Sequence, residues 1–144
     1  MIKIICIGKL KEHYIKDLVN DYFKRINKYH KVNIIELQDS NVEKEGLLIE
    51  KYLNSKEFII TLEIEGQNLT SKEFSNNIDN WLMNYGNITF IIGGSDGISE
   101  KIKNISNFKL SFGNMTFPHG LFRGILLEQI YRSFKILNNE SYHK

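Results

Sequence analysis

The stretch SFGNMTFPH (residues 111–119) connects a short strand-like run to the long apolar segment that ends the chain. It holds the only proline, Pro118, whose fixed φ suits the first turn of a helix, so Thr116 is the predicted N-cap. Phe112, Met115 and Phe117 make this loop apolar, whereas surface loops are normally polar. The loop is therefore either a well-packed turn under a core helix or the wall of a pocket or an interface.

A glycine-rich loop lies upstream of this stretch. The run NITFII (residues 87–92) is β-branched and aromatic, and GGSDG (residues 93–97) follows it directly. Three glycines in five residues after a strand indicate backbone in special φ/ψ regions or in close contact with a ligand. Loops that follow parallel strands meet at one edge of the sheet. The two loops therefore predict one shared crevice.

Strands and helices alternate along the whole chain. Apolar runs predict strands at residues 2–7, 32–37, 58–64, 87–92 and 108–112. Apolar residues at helical spacing predict helices at residues 12–28, 43–53 and 118–137. A capping box at Thr70 and Glu73 predicts the start of another helix, and a short helix is expected after the glycine loop. This alternation predicts a single α/β domain over residues 1–144, with a mostly parallel sheet flanked by helices.

Two local patterns predict details of this fold. Residues 66–68, Gly-Gln-Asn, are typical of a turn after the third strand. The helix at residues 43–53 is expected to bury Leu47, Leu48 and Tyr52.

The last helix carries apolar residues on more of its circumference than one sheet can cover, which predicts a homodimer. Gly124, which is costly inside a helix, is then explained by the close approach of another element. Packing within the same chain is the alternative explanation.

Composition narrows the class of protein. The 144 residues carry a net charge of +2, which is too small to identify a nucleic-acid binder. Cys6 is the only cysteine, so we expect a buried, inert thiol in a reducing compartment. No apolar stretch approaches the ~20 residues that a membrane span requires. These features predict a cytoplasmic protein without a membrane anchor.

The glycine loop favours some ligands over others. GGSDG lacks the Lys-Ser/Thr ending of a P-loop and the spacing of GxGxxG. Backbone groups and apolar contacts suit an adenine and a sulfonium better than a polyphosphate. A hydrolase triad of Ser95, Asp96 and His119 is disfavoured because G-x-S-x-G is absent. No metal is expected, since the four histidines lack ligand spacing.

The chain ends in Tyr142, His143 and Lys144, an aromatic ring, an imidazole and a cation in succession. A frayed end is one interpretation. The functional interpretation is stacking on a nucleobase together with pairing to phosphate.

Several motifs together resemble one family. They are IGKLKEHY, ITLEIEG, FIIGGSDGIS, LSFGNMTFPH, EQIYRSFKI and the final YHK. The chain resembles the ribosomal large subunit pseudouridine methyltransferase H family of the SPOUT class, over nearly its whole length. This resemblance implies a cytoplasmic homodimer with a C-terminal trefoil knot. The implied activity is S-adenosylmethionine-dependent methylation of N3 of a pseudouridine in large-subunit (23S) ribosomal RNA, in the ribosome.

The resemblance also assigns roles to residues. The implied cofactor-binding residues are Leu62, Gly93, Phe112, Gly113, Asn114, Met115, Thr116 and Phe117. For proton handling and base contact we expect His143 and Tyr142, with His119 as a competitor for the proton. Arg123, Arg132 and Lys144 are expected to hold RNA phosphates. The alternative function is a non-catalytic RNA- or ribosome-binding module on the same fold, which would have no need of a cofactor cleft.

Overall fold

A computed structural model describes residues 1–144 and contains one five-stranded sheet in which every strand pair is parallel. The strand order is β2-β1-β4-β3-β5. Ile4 lies between Ile34 and Phe90 in the register of the three neighbouring strands. The strands are β1 (Ile2–Ile7), β2 (Val32–Leu37), β3 (Phe58–Asn68), β4 (Ile88–Ile92) and β5 (Phe108–Ser111).

Five helices alternate with the strands and cover both faces of the sheet. They are α1 (His13–Asn27), α2 (Val42–Glu50), α3 (Ser71–Tyr85), α4 (Glu100–Ile105) and α5 (His119–Leu137). Side chains along a strand point alternately to opposite faces. Ile2 and Ile4 of β1 therefore join the larger core beneath α1, α3 and α5, whereas Ile5 and Ile7 join the smaller core beneath α2 and α4. The predicted α/β fold is confirmed.

The lone cysteine lies in the larger core. Cys6 is 1% exposed, and burial raises the pKa of its thiol to about 12. The thiol therefore stays protonated near neutral pH, and a protonated thiol is a poor nucleophile.

The two predicted helix starts differ in outcome. The capping box of α3 is confirmed, because the Thr70 side chain accepts from the Glu73 backbone and Glu73 accepts from the Thr70 N–H. That N–H lowers the pKa of Glu73. Thr116 as the N-cap of α5 was wrong, since Pro118 is the N-cap and its carbonyl accepts the Phe122 N–H at 2.9 Å. Pro118 therefore precedes the helix and does not occupy its first turn.

The predicted turn at residues 66–68 was also wrong, because β3 continues through these residues to Asn68. The register between β3 and β5 shifts between Leu62 and Gln67, so the second half of β3 pairs again with the end of β5. A Cβ added at Gly66 would lie 2.7 Å from the Lys109 carbonyl oxygen. This glycine is required by the close approach of two backbones.

The buried face of α2 also differs from the prediction. Leu47 is 57% exposed and Tyr52 is 43% exposed, whereas Glu45, Gly46 and Ile49 are buried. Gly46 packs so closely on the Ser99 side chain that an added Cβ would lie 2.5 Å from its hydroxyl oxygen. The small face of α2 therefore approaches the start of α4.

Part of the apolar circumference of α5 is covered within the chain, because α5 packs against both α1 and α3 and its Leu126 and Ile130 join the larger core. Phe122, Ile125 and Leu137 are only partly buried, so a homodimer through this helix stays a prediction. A Cβ at Gly124 would lie 2.5 Å from Leu18 Cδ2 of α1. Close packing inside one chain therefore explains Gly124, and this glycine is not an argument for a second copy. The trefoil knot stays a prediction. None of the helices combines the length and apolar character of a membrane span.

We expect Gly66→Ala to lower the free energy of unfolding by about 2 kcal/mol or more, because the new methyl group would force apart two paired backbones. Urea denaturation measures this loss. Gln67→Ala is the matched control, since Gln67 is an exposed residue of the same strand and should change stability by less than about 0.5 kcal/mol. Equal stability of the two variants would contradict the close approach at Gly66.

Candidate active site

A cavity of about 400 Å³ lies at the C-terminal ends of β3, β4 and β5. Three segments form its walls: the end of β3 from Leu62 to Glu65, the glycine loop with Ile98, and the apolar loop with the start of α5. Most of the predicted cofactor residues meet here. They are Leu62, Gly93, Phe112, Gly113, Met115, Thr116 and Phe117. Asn114 does not line the cavity and is exposed.

The glycine loop folds tightly upon itself. The Gly97 N–H donates to the Gly94 carbonyl at 3.1 Å, and Gly97 has a φ of +85°, which favours glycine. A Cβ added at Gly93 would lie 2.6 Å from the Gly97 carbonyl oxygen. Gly93 is therefore required by the packing of the loop itself, whether or not a ligand also approaches it.

The apolar loop is held by local hydrogen bonds and ring contacts. The Gly113 N–H donates to Ser111 Oγ at 3.1 Å, and Gly113 has a φ of +125°. The Phe112 ring lies 5.1 Å from that of Phe122, and the Phe117 ring lies 6.2 Å from it. The loop is thus both a packed turn and a cavity wall, so the two interpretations of this stretch are compatible.

The sequence analysis assigned no role to three charged side chains at the cavity, those of Glu63, Glu65 and Lys103. The Glu63 carboxylate accepts the Thr61 hydroxyl at 2.6 Å, and Lys103 Nζ lies 3.8 Å from its second oxygen. Lys103 comes from α4 and Glu65 from the extended end of β3. Glu65 was not assigned to the cavity because β3 was predicted to end before it. Lys103 was not assigned because no local pattern shows which way a lysine on α4 points.

A second cavity, of about 770 Å³, adjoins the first at the C-terminal ends of β1 and β2. Gly94, Ser95 and His119 line both cavities. The second cavity is mostly polar, and Lys9 and Lys11 border it. His119, a predicted proton acceptor, therefore lies between an apolar and a polar cavity.

Arg123 lines the second cavity, but its guanidinium is already paired within the chain. It is 3% exposed, its guanidinium pairs with Glu36, and Nη2 donates to the Gly8 carbonyl at 3.1 Å. A phosphate would have to displace the partly exposed Glu36 carboxylate from this buried guanidinium. Arg123 therefore holds Gly8, which has a φ of +93°, at the border of the second cavity.

The C-terminal tail, residues 139–144, packs on its own chain and is not frayed. The Tyr142 hydroxyl lies 3.2 Å from that of Tyr22, and its ring packs edge-on against Tyr131 at 4.9 Å. Arg132 Nη1 lies 3.0 Å from His143 Nδ1, and the guanidinium covers the Tyr142 ring at 4.8 Å. Burial raises the pKa of Tyr142, so its hydroxyl stays neutral.

Within one chain the tail does not reach the cavities. Arg132 lies thirteen residues along α5 from His119, which corresponds to about 20 Å of helix. The Arg132 guanidinium also donates twice to Glu128, at 2.9 and 3.2 Å, so it supports the tail. Phosphate contacts by Arg132 and Lys144 stay predictions.

The cavities contain no arrangement typical of a hydrolase or a metal site. Ser95, Asp96 and His119 line the first cavity but make no hydrogen bond to one another. No group of three or more His, Cys, Asp or Glu side chains is arranged to hold a metal ion.

Comparison with known proteins decides the family. The family model described as "Predicted SPOUT methyltransferase" matches residues 1–143. The chain belongs to the SPOUT methyltransferase family. It is 46% identical to a ribosomal RNA large subunit methyltransferase H of Clostridium botulinum (strain Kyoto / Type A2), over 99% of both chains. It is 50% identical to a putative ribosomal RNA large subunit methyltransferase H of Methanococcus maripaludis (strain C5), also over 99% of both.

Solved structures share the SPOUT fold at low sequence identity. A probable methylase family protein from Haemophilus influenzae has a TM-score of 0.56 at 9% identity, covering 96% of this chain and 66% of that one. The SpoU methyltransferase AviRb from Streptomyces viridochromogenes, solved in complex with AdoMet, has a TM-score of 0.51 at 7% identity. That match covers 90% of this chain and 56% of the AviRb chain. These similarities confirm the fold alone.

We expect Gly93→Ala to open the glycine loop of this SPOUT chain, because the methyl group would collide with the Gly97 carbonyl. Hydrogen exchange of the Gly97 amide should become at least about tenfold faster, which corresponds to about 1.4 kcal/mol. Ser95→Ala, at an exposed position of the same loop, should leave that rate unchanged. Protection retained in Gly93→Ala would refute the packing argument.

Proposed function

We propose that this chain transfers the methyl group of S-adenosylmethionine to N3 of a pseudouridine in large-subunit ribosomal RNA. The substrate is the RNA in the ribosome, and the reaction takes place in the cytoplasm. The observation that carries the proposal is the cavity in which the glycine loop and the apolar loop meet. The two relatives named as ribosomal RNA large subunit methyltransferase H, which match 99% of the chain, support ribosomal RNA as the substrate.

The first cavity fits S-adenosylmethionine in size and chemistry. Its apolar walls, which include Leu62, Phe112 and Phe117, suit an adenine ring, and backbone groups of the glycine loop suit its polar edge. S-adenosylmethionine supplies an electrophilic methyl group on a sulfonium. The chain's task is to hold that methyl group close to, and in line with, the accepting nitrogen.

The second cavity is the proposed place of the target nucleotide. Its lining is mostly polar, and Lys9 and Lys11 at the border suit a phosphate, while of its two carboxylates Glu36 is paired with Arg123 and Asp39 can accept from a base. It adjoins the first cavity at Gly94, Ser95 and His119. Methyl transfer forms a bond from N3 to carbon and breaks the carbon–sulfur bond, leaving S-adenosylhomocysteine. The N3 proton passes to an imidazole and then to solvent.

Two histidines are candidates for that imidazole. His119 lies where the two cavities meet, within the same chain. His143 lies on the tail beside Arg132, at the far end of α5. His143 can serve only if the tail of a second copy reaches this site.

We therefore propose a homodimer in which the tail of one copy completes the site of the other. Apolar side chains are left in water at the rim of the first cavity, where Ile64 is 49% exposed and Met115 is 78% exposed. Exposed apolar surface around a cavity is typical of an interaction site. A second copy would cover these side chains and place Tyr142 and His143 beside the cavities.

We expect deletion of residues 142–144 to lower methyl incorporation into ribosomes by at least about 100-fold, because base positioning and proton transfer are lost. Affinity for S-adenosylmethionine, measured by calorimetry, should stay within about twofold of wild type, since the tail is proposed to meet the target nucleotide and no residue of it lines the cofactor cavity.

Ser141→Ala is the matched control, because Ser141 is exposed and directly precedes the deleted residues. Methylation at the wild-type rate after the deletion would remove the tail from the site. A wild-type chain that binds ribosomes but not S-adenosylmethionine would instead favour the non-catalytic binding module.

We expect Gly93→Ala to lose cofactor binding because its glycine loop opens, and activity to return when this variant is co-expressed with the deletion variant. In a mixed dimer, the intact pocket of one chain meets the intact tail of the other, so about a quarter of the wild-type activity should appear. Light scattering checks the mass of the dimer. A monomeric mass, or a mixture no more active than its separate components, would contradict shared sites.

A further inference from the structure

Glu63 is the carboxylate most deeply placed in the wall of the first cavity. Its side chain is 6% exposed, and its partners are contributed by β3 and α4. A carboxylate loses hydration when it is buried, so its oxygens require hydrogen-bond donors. The donors that Glu63 has within the chain do not occupy both of its oxygens.

The two oxygens of Glu63 differ in their surroundings. Oε2 accepts the Thr61 hydroxyl at 2.6 Å. Oε1 accepts no hydrogen bond from the chain, and Lys103 Nζ lies 3.8 Å away, beyond hydrogen-bond distance. Oε1 is therefore an acceptor available to a donor in the cavity.

We propose that Glu63 binds the ribose hydroxyls of the nucleoside in the first cavity through Oε1, which makes it a specificity-determining residue for a ribonucleoside. This inference rests on the proposed function, since it concerns the ligand of that same cavity. A diol offers two neutral O–H donors, and a carboxylate oxygen accepts such donors strongly.

The charge of Lys103 favours the hydroxyls over the ammonium group of the methionine moiety. An ammonium at Oε1 would lie close to Lys103 Nζ, and two cations in a partly buried site repel each other. Neutral hydroxyls meet no such repulsion. Lys103 thereby directs Glu63 toward the sugar and away from the amino acid end of the cofactor.

The decisive experiment compares 5′-methylthioadenosine with its 2′,3′-dideoxy analogue by calorimetry, on the wild type and on Glu63→Leu. Wild type should bind the diol about 10- to 100-fold more tightly, as expected for hydrogen bonds to a charged acceptor. Glu63→Leu should bind the two nucleosides within about threefold of each other. Glu63→Gln keeps an acceptor oxygen and should restore part of the preference for the diol.

Glu65→Leu is the matched control, because Glu65 borders the same cavity but is exposed and makes no ion pair. It should retain the full preference for the diol. Thermal melting checks that each variant is folded.

Three outcomes overturn the inference. The first is an equal preference for the diol in wild type and Glu63→Leu, and the second is no preference in wild type. The third is a loss of affinity in Glu63→Leu for S-adenosylmethionine but not for 5′-methylthioadenosine, which would assign Glu63 to the ammonium group of the methionine moiety. A wild-type chain that binds neither S-adenosylmethionine nor 5′-methylthioadenosine would overturn the proposed function itself, and the inference with it.

Discussion

Parallel pairing of all five strands is the constraint on which the rest of the structure depends. Strands that run in one direction must all end at the same edge of the sheet, and helices must return the chain across its two faces. The extended second half of β3 and the loops after β4 and β5 therefore enclose one cavity, while the segments after β1 and β2 border the other. The glycine loop after β4 belongs to both, because β4 lies between β1 and β3.

Much of this fold could be predicted from local pattern. The strands β1 and β2 have the predicted bounds, because β1 is a nearly continuous apolar run and β2, at the edge of the sheet, is rich in β-branched residues. The failures occurred where tertiary packing overrides a local signal. Gly66 resembles a turn residue but is needed for close approach to β5, and the short helix α2 presents Gly46 to α4 instead of its larger apolar side chains.

The first cavity could also be predicted, because its walls are contiguous stretches with unusual composition. The second cavity could not, since its residues come from short stretches at the ends of β1 and β2, from the glycine loop and from α5, which lie far apart in the sequence. The burial of Arg123 was equally invisible, because its partner Glu36 lies 87 residues away in the sequence. Arginine on a helix is usually solvated, and only the fold brings this one to a carboxylate and a glycine carbonyl.

The helix α5 fixes both the distance and the rotation between the cavities and the C-terminal tail, which limits where residues can be inserted or deleted. One end of the helix borders the cavities through His119, and the other holds the tail through Arg132 and Tyr131. One residue inserted between them would rotate the tail by about 100° around the helix axis and separate Tyr142 from Tyr22. The loops on either side of α2, between β2 and β3, carry no such phase relation. Insertions and deletions should therefore accumulate there and be absent from the middle of α5.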